Sequence, residues 1–370
     1  MFPKHIPTLD GLRGFAALWV VINHLKQQSL LPSTNGQTGE YGVLLFFILS
    51  GFLMGHLYLP EPFSKEKIWN YSVSRISRVV PMFYFAIILC YIASIFFGTN
   101  FVFYLSSVDF FRLLTFNGSK YVFWSVGPEV QFYIFFVVVW GCFARRKEIG
   151  ASILPPALLI LAMLLFTQSM FPGVVLASKL HVFLTGTAMA VVAARIPPTR
   201  SVAPEPMILA GQLLAVGIVL FLTFTPYIGS TVLDPFNVKL DPLFNAIHGN
   251  LRWTFLMAAI LFIMAVETPV SRFLLANRVM RLTGKYSFSI YLLHVPVIVL
   301  ARDVTQAWGW SVSMQAVAAI VMVAAIGPLA FHLVERPGQS GCRRLLGGLR
   351  EKYLAARNAR VTSREIAEEA

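Results

Sequence analysis

Charge is scarce in this chain. Of its 370 residues only 13% are Asp, Glu, Lys or Arg, while 57% are hydrophobic. An ordinary soluble domain is about a quarter charged, so a water-solvated surface over most of the chain is excluded. Cysteine is scarcer still: Cys90, Cys142 and Cys342 are odd in number and far apart. Such a set makes no disulfide framework and has no zinc-ligand spacing. No segment repeats, in parallel or inverted order, and none reads as a separable soluble domain. Acidic residues number 17 against 30 Lys and Arg, for a formal net charge of +13. A basic excess of that size raises the question of nucleic acid, and the distribution of the charges answers it.

What the chain has instead is a succession of apolar runs. They read as about ten transmembrane helices, roughly 9–30, 41–60, 79–98, 125–143, 151–168, 179–194, 207–226, 252–267, 286–301 and 311–334. The expected class is therefore an all-α integral membrane protein. With the N-terminus inside, basic residues crowd the inner connections: Lys65, Lys67, Arg75 and Arg78, then Arg145, Arg146 and Lys147, then Arg272 to Lys285, then the run from Arg336 onward. The positive-inside rule makes both termini cytoplasmic. The basic balance thus reports topology, and no nucleic acid is expected. The first run has no convincing small-residue cleavage site and is kept as a transmembrane helix, not a signal peptide. Residues 1–337 are expected to form one polytopic membrane domain, and 338–370 a basic cytoplasmic tail beside the inner leaflet. Phe101–Phe111, rich in aromatics, is expected at the outer interface or re-entering the membrane. The proline-rich stretch 196–206 reads as a stiff inner linker.

Against this background the polar residues stand out. The first span carries Asp10, Arg13, Asn23 and His24. Ionisable groups in a bilayer are expensive and commonly line a pathway or a reacting site. Arg13 and His24 are close to three helical turns apart, on one stripe and ~16 Å along the axis. Asp10 can hold the Arg13 guanidinium from three residues away. The plain alternatives are a snorkelling arginine and an interfacial histidine. Arg75 and Arg78 share a face at the inner mouth of the third span, an arrangement suited to phosphate or to topological charge alone. Glu129 opens the fourth span at a depth comparable to His24 and is expected to fix that imidazole's tautomer. Pro128 fits the first turn of its helix. Weaker signals are Ser50-Gly51, which is as well suited to close helix packing, and Tyr286, Ser289, Tyr291 and His294 in the ninth span. Glu335-Arg336-Pro337 is expected to end the last span with a local ion pair.

Taken together these strings resemble the acyltransferase 3 family, whose members are ten-span membrane O-acyltransferases of sugars and related acceptors. The resemblance runs nearly end to end: Leu9-Asp-Gly-Leu-Arg-Gly14 with His24, Phe46-Phe-Ile-Leu-Ser-Gly-Phe52, Arg75-x-x-Arg78 with Pro81 and Tyr84, Trp124-Ser with Glu129-x-Gln-Phe-Tyr133, Gly284-x-Tyr-Ser with Tyr291-Leu-Leu-His294, and Glu335-Arg-Pro337. Each string is loose alone, and six in order are specific. Val126-Gly127-Pro128 departs from the Leu-x-Val common before the glutamate. The resemblance implies an acyl-CoA donor, acetyl-CoA in most members, no metal, and key roles at Arg13 and His24. The chain resembles the branch without a C-terminal SGNH hydrolase domain.

The expected chemistry follows from that resemblance. CoA phosphates would sit at Arg75 and Arg78 near the cytoplasm, helped by Arg145 or Lys285. The pantetheine arm would run outward past Arg13 to His24, which with Glu129 would deprotonate an acceptor hydroxyl. Ser50, Tyr133, Tyr291 and His294 would support the site. Direct transfer is favoured over an acyl-enzyme, since no Ser or Cys is clearly paired with a base. A carbohydrate, glycolipid or small hydroxylated molecule is the expected acceptor, with membrane lipid as surroundings. Exopolysaccharide, O-antigen, nodulation-type glycolipid and peptidoglycan all stay open. A multi-pass protein of a bacterial inner membrane is the expected setting. The competing classes are a secondary transporter with an Arg, His and Glu relay and a non-catalytic membrane scaffold.

Overall fold

The computed structural model describes residues 6–31, 38–150, 171–195, 205–224 and 250–369, with Leu159 and Met163. Among the described residues the secondary structure is helical, with no strand. The principal elements are α1 (Pro7–Gln27), α2 (Thr38–Tyr58), α3 (Lys65–Phe97), α4 (Ser107–Leu114), α5 (Val126–Ala144), α6 (Leu180–Arg195), α7 (Glu205–Phe224), α8 (Leu251–Ala265), α9 (Pro269–Leu274), α10 (Arg278–Ala307), α11 (Val312–Ala330) and α12 (Arg336–Glu369). Several begin on side chains that satisfy the free N–H groups of a first turn. Ser64 caps α3, Asn277 caps α10 and Ser311 caps α11. Ser106 and Asp109 close a reciprocal capping box on α4.

Among the described residues, six helical stretches are long and apolar enough to cross a membrane: Thr38–Tyr58, Lys65–Asn100, Tyr121–Ala144, Glu205–Phe224, Arg278–Ala307 and Val312–Tyr353. Three further expected spans coincide with helices that miss this mark. The polar residues of α1 dilute its hydropathy, and α6 and α8 are shorter than the ~20 residues a straight span requires. The expected span 151–168 and the linker 196–206 lie mostly outside the described residues. Large apolar side chains face outward on the long helices, including Ile92 and Phe96 on α3, Leu214 and Phe221 on α7, and Val317 and Val321 on α11. Hydrocarbon solvates such faces without cost.

Two helix crossings fix the centre of the bundle. A Cβ on Gly284 of α10 would lie 1.8 Å from the Asp10 carbonyl oxygen, and one on Gly14 of α1 would meet the α10 backbone at 2.5 Å. Across the bundle, a Cβ on Gly51 of α2 would lie 2.0 Å from the Phe183 carbonyl oxygen of α6, and one on Gly186 would lie 2.1 Å from that of Ile48. Only hydrogen allows backbones this near, which is how small residues set helix contacts where no hydrophobic force drives them. The first crossing joins two strings singled out from the sequence, Leu9–Gly14 and the one opened by Gly284, while the second joins Phe46–Phe52 to a helix that carried no such signal.

The last span does not stop at Glu335-Arg-Pro. Its helix passes through a π turn at Phe331–Glu335 and runs on as α12. The shift to an i→i+5 pattern, with the Arg336 N–H on the Phe331 carbonyl, lets Pro337 follow without breaking the helix. The tail folds onto α3, where Gly338 abuts Pro81 and Arg343 Nε donates to Ser77 Oγ at 3.3 Å. Between α3 and α5, Phe103 is buried at 2% exposed while Val108 and Phe111 face outward at 60% and 65%.

Candidate active site

Three cavities follow one another through the bundle, joined by shared walls. The inner one, about 610 Å³, is lined by the cations Arg13, Arg75, Arg78, Arg278, Arg281, Lys285 and Arg343, with Asp10 and Glu335 the only carboxylates. Arg13, Arg75 and Arg78 also line the second. At about 50 Å³ this is a neck, with room for one or two waters. It opens past Val43 and Tyr291 onto the outer cavity, about 390 Å³, which holds His24.

Arg75 is 8% exposed and held from several sides. Its Nη2 donates to Tyr58 Oη and Ser74 Oγ, both at 3.2 Å, and its guanidinium lies 5.6 Å and 5.8 Å from the Tyr58 and Tyr133 ring centres. Its buried Nε has no hydrogen-bond partner among the described residues. A fixed guanidinium with a spare N–H is a ready anion ligand. Arg13 sits opposite, with Nη2 3.4 Å from Ser287 Oγ, and Asp10 shares its cavity wall. This basic cradle suits a polyanion such as a phosphate group.

In the neck Glu129 takes Ser50 Oγ at 2.8 Å and Tyr133 Oη at 2.5 Å on the same carboxylate oxygen. The direct pairing of Glu129 with His24 expected from the sequence is not made. Helix α5 places Glu129 at the level of the arginines, lining the neck with Arg13, Arg75 and Arg78, where the carboxylate finds hydroxyls and positive charge. His24 is served by another group, His294. Nδ1 of His294 lies 2.8 Å and 3.1 Å from the Tyr291 and Ile290 carbonyls, so it carries the hydrogen and leaves Nε2 as an acceptor. His24 Nδ1 is 2.9 Å from the Val20 carbonyl and 3.1 Å from that Nε2. It donates to both, and the free lone pair of His24 is therefore on Nε2.

Tyr291 closes the constellation, with Oη 2.8 Å from Ser125 Oγ and donating to the Val122 carbonyl at 2.9 Å. Of the site residues expected from the sequence, Asp10, Arg13, His24, Ser50, Arg75, Arg78, Glu129, Tyr133 and Tyr291 line this path, and His294 touches it through His24. Sequence reasoning passed over Ser125, Ser287 and Arg343. It also read Glu335 as an ion pair with its neighbour, whereas Glu335 is buried and accepts from Ser289 at 2.5 Å and Gln339 at 3.1 Å. Arg145 does not line the inner cavity, while Lys285 does.

Residues 6–332 match the acyltransferase 3 family, described as an acyltransferase domain. The chain belongs to that family. The matched model describes an acyltransferase domain, not a transporter or a scaffold. Among curated proteins the chain is similar to O-acetyltransferase OatA of Staphylococcus aureus strain NCTC 8325, 26% identical over 345 residues that cover 81% of this chain and 52% of the relative. It is also similar to peptidoglycan O-acetyltransferase OatA of Listeria monocytogenes, 25% identical over 374 residues, 90% of this chain and 56% of the relative. The chain spans about half the length of these relatives. No solved structure matches it.

Proposed function

We propose that this acyltransferase moves an acyl group, acetyl by analogy with the named relatives, from cytoplasmic acyl-CoA to a hydroxyl of a cell-envelope carbohydrate or glycolipid. The carrying observation is the order of the cavities: a polycationic chamber, a narrow neck, then a chamber holding an imidazole with a free Nε2. The protein would cross a bacterial inner membrane about ten times with both termini in the cytoplasm, which puts the cationic chamber on the donor's side.

The donor supplies an electrophilic thioester carbonyl and a thiol leaving group. Arg75, Arg78 and Arg13 hold its phosphates by charge-assisted hydrogen bonds. Side chains of the neck must rotate to admit the pantetheine arm, and Glu129, Ser50 and Tyr133 line its way. At the outer end His24 Nε2 takes the proton of the acceptor hydroxyl as that oxygen attacks the carbonyl. The C–S bond breaks, and the imidazolium returns the proton to the departing thiolate. His294, fixed by two backbone carbonyls, accepts from Nδ1–H of His24 and keeps the ring in the reactive tautomer. The narrow neck keeps competing water away from the thioester.

The test is CoA release from acetyl-CoA by purified protein in nanodiscs with a panel of glycans. Acceptor-stimulated release that a folded His24→Ala protein lacks is the expected result. Labelling of the wild type by donor alone, lost in His24→Ala, would replace direct transfer with an acyl-histidine.

A further inference from the structure

The inner chamber does not end at the helix bundle. Ser74 and Arg343, two of its lining residues, also line a second chamber of about 480 Å³ between α3 and α12. Its walls carry Trp69 and Asn70 from α3 and Gly347, Arg350 and Glu351 from α12. The α12 wall lies beyond residue 332, where the family match ends. It is anchored at the boundary of the two chambers by the Arg343 to Ser77 hydrogen bond at 3.3 Å.

The chemistry of the two chambers differs. The first is nearly all cation, as phosphate requires. The second offers one indole, one amide, one carboxylate and two guanidinium groups, Arg343 at its boundary and Arg350 within it. An indole face stacks a nucleobase. A carboxylate or amide oxygen accepts from an exocyclic amine. A guanidinium beside them can take a sugar phosphate. Resting on the acyl-CoA reading above, we propose that this second chamber is the subsite for the adenine nucleotide of the donor, and that the α12 tail forms half of it. The tail is then part of the donor site rather than a membrane-surface appendage.

The experiment compares two donors on the full chain in nanodiscs: acetyl-CoA, and S-acetyl-4′-phosphopantetheine, which has the same reactive arm without the nucleotide. Trp69→Ala and Arg350→Ala should each raise KM for acetyl-CoA roughly tenfold at little change in kcat. KM for the truncated donor should stay within about twofold in both. Gly347→Trp is the complementary variant. A Cβ at Gly347 meets nothing within 4 Å, so the backbone accepts a side chain there, the added ring competes with a nucleotide for the chamber, and the same selective rise is expected. If the variants raise KM equally for both donors, or leave acetyl-CoA unaffected, the nucleotide subsite is overturned while the acyltransferase reading stands. If wild-type protein with active acceptors uses the truncated donor as well as acetyl-CoA, no nucleotide subsite exists. If it turns over neither donor, the acyl-CoA reading falls first and takes the subsite with it.

Discussion

The inner and outer halves of the path are built from opposite materials. Inside, seven guanidinium and ammonium groups face one chamber against two carboxylates. Outside, the chamber around His24 is lined by the amides of Asn23, Gln27 and Gln28, by the aromatic rings of Phe103, Tyr121 and Trp124, and by the carboxylate of Glu40. The first surface is made for a polyanion, whose charge it neutralises at long range. The second suits a neutral molecule with many hydroxyls, since amides both donate and accept and aromatic faces cover apolar sugar edges. The contrast teaches that donor and acceptor need not compete for one pocket. Under the proposed function each would have its own entrance, and the two would meet only at the imidazole.

The comparison can be broken outright by attacking what the halves share. Gly284→Ile drives a side chain into the Asp10 carbonyl, at or beyond the upper end of the ~1–3 kcal/mol cost of overpacking. Little monodisperse protein should survive size-exclusion chromatography in detergent. Gly217→Ile, where a Cβ meets nothing, should behave as wild type. His24→Ala acts on the outer half alone. It should lower kcat by ~10²–10⁴-fold, with acetyl-CoA binding by calorimetry unchanged. Arg75→Ala acts on the inner half alone. It should raise KM for acetyl-CoA by ~10–100-fold, the loss of a hydrogen bond to a charged group, and leave kcat at saturation close to wild type. The mildest change is Tyr291→Phe, on the wall between halves. Removing its hydroxyl from Ser125 and Val122 should cost about 1 kcal/mol, seen as a few-fold fall in kcat/KM for both substrates. A rise in KM for one substrate only would assign Tyr291 to that side.

Much of this was legible beforehand, for reasons that differ by residue. The spans could be read because bilayers demand long apolar runs, and α1 could be read despite failing that demand, since its polar residues repeat on one helical stripe. Arg75 and Arg78 declared themselves by spacing. Depth was harder. Glu129 was expected beside His24 because both lie near outer helix ends, yet a carboxylate two or three residues into a helix can sit a turn deeper than its partner. Only the tertiary packing of α2 against α5 brings Ser50 to it. His294 looked like one polar residue among several in its span, and nothing local says that its partner is 270 residues away. The course of α12 was hidden for another reason. A proline after the last apolar run reads as a stop, and the π turn that lets the helix continue leaves no periodic signal.

The crossing of α1 and α10 sets a length as well as a contact. The two helices run in the same direction, and each histidine lies ten residues beyond its glycine: His24 after Gly14, His294 after Gly284. Equal counts mean equal rise and equal rotation, ~15 Å along each axis. The backbones that touch at the glycines therefore present their imidazoles to one another 3.1 Å apart. The intervals act as a matched pair of rulers. A single alanine inserted in either would turn one ring by ~100° and advance it ~1.5 Å, ending the contact, while the same insertion in both would preserve it. For this contact it is the number of residues between glycine and histidine, more than the identity of those between them, that is fixed.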